Sequence, residues 1–157
     1  MNSLKTQRVF SLICGLWVGS FLTVGFLVVP VLFTSLGDRQ VAGMVAASLF
    51  KTTAYVGVGI SAFLMIMANY LVRQGVEAYR SSRWILLGML ACFLAAAFII
   101  IPWMNSLRDQ ALYMNLSVRE SSYAELFNNL HSVSSIMFIL QSILGLVLVW
   151  RSTKNAD

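Results

Sequence analysis

The chemistry available to this chain starts with a single histidine. It lies in "AELFNNLHSVSSIMF", where His131 precedes Ser134, Ser135, Gln141 and Ser142. These positions recur so that they share one broad stripe of a helix, and with Gly145 they form a polar path descending from the imidazole. An imidazole could titrate near neutrality or donate nitrogen to a metal. Such a stripe is expected to face other helices and not lipid, either hydrogen-bonding across a bundle or lining a pocket.

Other unusual residues fall at the level of His131. Pro30, Lys51 and Pro102 sit toward the same ends of their apolar runs, and Glu125 and Glu120 are near in sequence. Proline lacks an N–H and disrupts the helical ladder, which frees carbonyl oxygens. Free carbonyls, an ammonium, an imidazole and a carboxylate would make a polar cluster able to hold a small solute or ion.

Sulfur gives a weaker signal. Met65 and Met67 are two apart and point to nearly opposite helix faces, so one soft metal cannot easily use both. Met104, Met114 and Met137 are nearer His131, without a spacing that demands a site. Cys14 and Cys92 lie inside apolar runs without CxxC spacing and read as buried thiols. One histidine is too few for a haem with two histidine ligands. No phosphate loop, nucleophile elbow, HExxH or paired-carboxylate pattern occurs. No cofactor is indicated by motif, the metal question stays open, and an enzyme is not expected.

The elements that must position these residues are apolar. Of 157 residues, 59% are hydrophobic and 11% charged, against roughly 45–50% and 25% in soluble domains. The apolar residues gather into runs near the ~20 residues that cross a hydrocarbon core. The expected fold is all-α, one integral membrane four-helix bundle with amphipathic segments at one face and spans at about 9–33, 52–72, 84–101 and 130–150.

Pro30 should kink or finish the first span and Pro102 should end the third. Asp38 is a plausible N-cap, and Gln40 to Phe50 should form a separate amphipathic lead-in at the membrane surface, bounded by Lys51. The polar stretch after Pro102 keeps helical spacing, and His131 is expected to open the fourth span. The first run is too long for a signal peptide and lacks an A-x-A site, so it reads as an uncleaved span.

The net charge of +5 comes from basic residues scattered singly at run ends, which argues against a nucleic-acid partner. Lys5, Arg8, Arg73, Arg80, Arg83, Arg151 and Lys154 share one side. By the positive-inside rule both termini are expected in the cytoplasm, with the chain multi-pass in the inner membrane.

Gly15 and Gly19, and Gly57 and Ser61, are small residues four apart, the spacing that lets helices approach closely in lipid. Packing within the bundle is the expected use, with a homo-oligomer or a second membrane protein as the other partners such faces would take. "PVLFTSLGDRQ" after the first run and "PWMNSLRDQ" after the third are alike, as two hairpins related by a parallel repeat would produce.

In order, "LWVG", "PVLF", "AG" at Ala42 and Gly43, "LF" at Leu49 and Phe50, Pro102 and "LHSVSS" resemble the transmembrane protein 205-like family, known in bacteria as domain of unknown function 4149. The resemblance spans nearly the whole chain and singles out Trp17, Gly19, Pro30, Phe33, Gly43, Phe50, Pro102, His131 and Ser135. It implies a small four-helix membrane protein without an established bacterial activity. Its eukaryotic relatives are associated with platinum-drug resistance and membrane trafficking. The function expected from the residues is binding or passing a small solute or metal ion through the polar cluster. The alternative is a non-catalytic interaction or assembly subunit of a larger membrane complex.

Overall fold

The computed structural model describes residues 3–154. Four helices, each long and apolar enough to cross a membrane, make up nearly all of it: α1 (Ser3–Ser35), α2 (Arg39–Arg73), α3 (Tyr79–Tyr113) and α4 (Ala124–Lys154). The protein is a multi-pass membrane protein. A one-turn 3₁₀ helix at Val118–Glu120 lies between α3 and α4.

The helices exceed the expected spans, for reasons that are local. Asp38 caps α2, its Oδ1 accepting from the Gln40 N–H at 2.7 Å and the Val41 N–H at 3.4 Å. From that cap the helix runs unbroken for 35 residues, so Gln40 to Phe50 is no separate surface segment. Gly75, at φ +85°, closes α2: the Val76 N–H reaches back to the Leu71 carbonyl and the Gly75 N–H to that of Val72, both at 3.1 Å. That is a Schellman cap, which needs a left-handed residue. Asn115, at φ 55°, ends α3 with the same pair of bonds, from the Leu116 N–H to the Ala111 carbonyl at 3.1 Å and from its own N–H to that of Leu112 at 2.9 Å.

Neither proline ends its helix. Each follows a five-residue π segment, Val24–Val28 before Pro30 and Ala96–Ile100 before Pro102. Proline removes one donor and crowds the carbonyl four residues back. Widening the preceding turn to i→i+5 bonding is a known way for a helix to continue past such a defect. The two hairpins are thus built alike, with a π turn, one intervening residue and a proline at matching places.

The helices pack up-down-up-down, each against its chain neighbour, with α4 closing against α1. The α1–α4 seam is antiparallel, and its register shows in three contacts at intervals of seven. Ser11 Oγ donates to the Ser152 carbonyl at 2.9 Å, Val18 lies against Gly145, and the Phe138 ring fills the space beside Gly25. Seven-residue spacing is that of left-handed bundle packing. Across the diagonal, α1 and α3 meet through rings: Phe10 on Tyr79 at 5.0 Å, Trp17 on Phe93 at 5.8 Å and Phe21 on Phe93 at 5.7 Å.

Packing is uneven along the bundle axis. At the end carrying both termini, Phe10, Cys14, Leu71, Tyr79, Leu86 and Leu148 are all at most 1% exposed. Toward the other end, Val24–Val28 and Val29–Ser35 contain no buried residue. The distal half is thus exposed along α1, while Ala42 and Ala46 of α2 and Ile100, Leu107 and Ala111 of α3 stay buried there.

Candidate functional site

The level of the expected cluster follows from helix geometry. Twenty residues rise about 30 Å, the thickness of a hydrocarbon core. Counted from Arg8, Arg73, Arg83 and Arg151 at the terminal end, that distance reaches Val28, Thr53, Trp103 and His131. Pro30, Lys51, Pro102 and His131 therefore share one level at the distal boundary.

They do not close around a space. All four, and Glu125, are exposed. His131 lies inside α4, about two turns beyond its start at Ala124, and not at the opening of the helix. The prolines' helices continue, so their carbonyls are not the free helix ends that the sequence suggested. Two shallow grooves lie elsewhere: one between α1 and α2 lined by Ile13, Leu16, Trp17, Ser20 and Ile60, and one at the terminal end. Among the described residues no group of three or more His, Cys, Asp or Glu is placed to hold a metal ion.

The stripe on α4 divides. Gln141, Ser142 and Gly145 are buried, Ser134 is half-buried, and His131 and Ser135 are exposed. Two of its hydroxyls turn back on their own helix, Ser135 Oγ donating to the His131 carbonyl at 2.9 Å and Ser142 Oγ to that of Phe138 at 2.8 Å. Only Gln141 reaches another helix, its Nε2 donating to the Met89 carbonyl at 3.5 Å. The stripe holds two hydroxyls bonded to their own helix and one interhelical amide.

The small residues divide too. Gly57 and Ser61 are buried inside the bundle, and a Cβ on Gly57 would stand 2.6 Å from the Phe93 ring. Gly15 and Gly19 have nothing within 4 Å of where a Cβ would stand, so they do not pack within the chain. Gly15→Ala and Gly19→Ala should each leave the monomer unharmed or stabilise it by up to about 1 kcal/mol through helix propensity. Denaturation in mixed micelles checks this, and a destabilised variant would reveal a partner on that face.

Sequence reasoning missed a polar layer at the terminal end. Thr6, Gln7, Tyr79, Ser82 and Ser152 are each at most 5% exposed. The Thr6, Tyr79 and Ser82 hydroxyls have no protein partner there. Buried polar groups of this kind are commonly served by internal water. The readable signal was spacing: Tyr79 and Ser82 continue the buried series Leu86, Met89 and Phe93.

Outside the helices the electrostatics are simple. Ser117 and Glu120 form a capping box, with Ser117 Oγ donating to the Glu120 carboxylate at 2.7 Å. Hydrogen bonds from the Ser117 side chain and backbone hold the Glu120 pKa below its usual 4.5. A depressed carboxylate stabilises its turn at neutral pH and loses that contribution as pH falls through the lowered value. Ser117→Ala should raise the Glu120 pKa toward 4.5, as followed by NMR titration of its carboxyl carbon.

Near the distal end Arg108 lies over the Phe127 ring, 5.7 Å from its centroid, and its Nη1 donates to Asn105 Oδ1 at 3.2 Å. This cation–π contact ties α3 to the start of α4.

The chain matches neither a curated protein nor a solved structure. A family model, domain of unknown function DUF4149, matches residues 12–112. That stretch runs from within α1 through both π–proline segments and stops before α4, so it includes Pro30, Lys51 and Pro102 but not His131. The match concerns this domain and not the transmembrane protein 205-like name. It covers more than half of the chain, which belongs to the DUF4149 family.

Proposed function

We propose that this protein is a non-catalytic membrane subunit whose distal end docks onto another membrane protein. The observation that carries the reading is apolar surface standing beyond the hydrocarbon level. Past that level Val31, Phe33, Val45, Leu112, Tyr113, Met114 and Leu116 are 39–88% exposed. Side chains at bilayer depth face lipid at no cost, but large apolar side chains left exposed beyond it favour an interaction site. The Lys/Arg asymmetry supports placing both termini in the cytoplasm and the chain in the inner membrane, with the docking end outside.

The test is purification from native membranes in mild detergent, followed by native mass spectrometry. A second membrane protein of fixed stoichiometry, lost when Phe33 and Leu112 are both changed to Glu, is the expected result. A bare monomer under every mild condition would count against docking.

A second reading has one observation in its favour: four helices bring Pro30, Lys51, Pro102 and His131 to one level. In that reading the exposed distal side chains hold a small solute or ion. Elemental analysis of wild type beside His131→Ala distinguishes it, since it requires stoichiometric metal or ligand that the variant loses.

A further inference from the structure

The groove at the terminal end is lined by Ala78, just before α3, by Ser81 in its first turn and by Trp150, Arg151 and Lys154 at the end of α4, and is a half-open hollow of about 400 Å³. Two cations and a hydroxyl thus border one concavity. Among the described residues neither Arg151 nor Lys154 is in an ion pair; the neighbouring carboxylate, Glu77, is 3.8 Å from Arg80. Trp150 is 74% exposed, an indole at the junction of apolar and basic sequence, as in the aromatic belts of membrane interfaces. Leading away from the groove along the same face of α4, Val147 and Ile143 are exposed, at 40% and 54%.

From this arrangement we propose that the groove binds the phosphate of an anionic glycerophospholipid. Arg151 and Lys154 hold the phosphate oxygens, with Ser81 as a hydroxyl donor. Trp150 sits at the glycerol level, and an acyl chain lies on Val147 and Ile143. The two cations also answer the carbonyl end of α4, but that role needs neither the concavity nor the apolar track. The proposal does not depend on which side of the membrane the termini face, nor on the distal docking.

The full chain in mild detergent is titrated with phosphatidylglycerol or phosphatidylcholine and the adducts are counted by native mass spectrometry, with and without inorganic phosphate. Wild type should take one phosphatidylglycerol at roughly tenfold lower concentration than phosphatidylcholine, since basic residues near anionic lipid each contribute several-fold. Arg151→Gln/Lys154→Gln should abolish that preference. Lys5→Gln/Arg8→Gln removes the same charge from α1, outside the groove, and should retain it. A preference that survives in the first variant, or falls equally in both, overturns the proposal. Displacement of the bound lipid by millimolar inorganic phosphate would also overturn it, in favour of a soluble phosphate ligand. All side chains changed are exposed, and circular dichroism confirms that the helices persist.

Discussion

Gly57→Ala is expected to destabilise the bundle by about 2 kcal/mol, within the 1–3 kcal/mol typical of overpacking. The sign is the informative part, because the same change on an exposed helix face stabilises by up to about 1 kcal/mol. The new methyl would lie 2.6–2.8 Å from three atoms of the Phe93 ring. Phe93 cannot give way. It is 1% exposed and is held by Trp17 at 5.8 Å and Phe21 at 5.7 Å.

Gly25 provides the contrast. A methyl there meets the Phe138 ring even more closely, yet Phe138 is only half-buried, so its ring has a free side toward which it can shift, whereas Phe93 has none. Gly25→Ala should therefore cost less than Gly57→Ala. Combining Gly57→Ala with Phe93→Leu should cost at least 1 kcal/mol less than the sum of the two, the order of coupling seen between touching residues. Unfolding in mixed micelles reads all of these, and a stabilised Gly57→Ala would contradict the packing described.

Phe21→Ala is expected to cost about 3 kcal/mol, near the low end of large-aromatic truncations. Lipid tails are as apolar as the bundle interior, so most of the loss is packing and cavity and not transfer from water. Phe21 is 4% exposed and touches three rings, Trp17 at 6.2 Å, Phe93 at 5.7 Å and Phe138 at 4.6 Å. It joins the packed terminal half to the ring of Phe138, which meets Phe26 at a tilt and Phe50 edge-on toward the distal end. Its removal should loosen the distal half first. Thiol accessibility should show this: a cysteine placed at Leu107, 4% exposed in the native bundle, should become reactive before one at Leu86. Simultaneous exposure of both would mean that the two halves unfold as one unit.

The four spans were legible because hydrophobic run length is set by bilayer thickness and by little else. Asp38 was legible as a cap because a short acceptor before a periodic run has a local purpose. The prolines were legible only in part: neither ends its helix, because each follows a π turn whose own residues, "VGFLV" and "AAFII", carry no distinguishing mark. Glycine spacing identified candidates for close approach but not their direction. Gly57 points into the bundle and Gly15 away from it, and only the relative rotation of the helices decides that.

The candidate site was partly legible for the same reason. Depth along a helix can be counted from sequence, so the common level of Pro30, Lys51, Pro102 and His131 emerged early. Convergence cannot be counted, and the side chains turn out exposed. The terminal polar layer was overlooked because Thr6 and Tyr79 lie outside the purely apolar runs, in stretches that resemble tail and loop.

The central claim, docking through the distal end, is tested most directly by site-specific photo-crosslinking in native membranes. A photoreactive residue at Phe33, Leu112 or Tyr113 should yield one discrete protein adduct. The same residue at Leu12 or Leu87, exposed in the terminal half, should yield only lipid. If the distal positions also yield only lipid, the distal end is not a docking surface and the subunit reading falls.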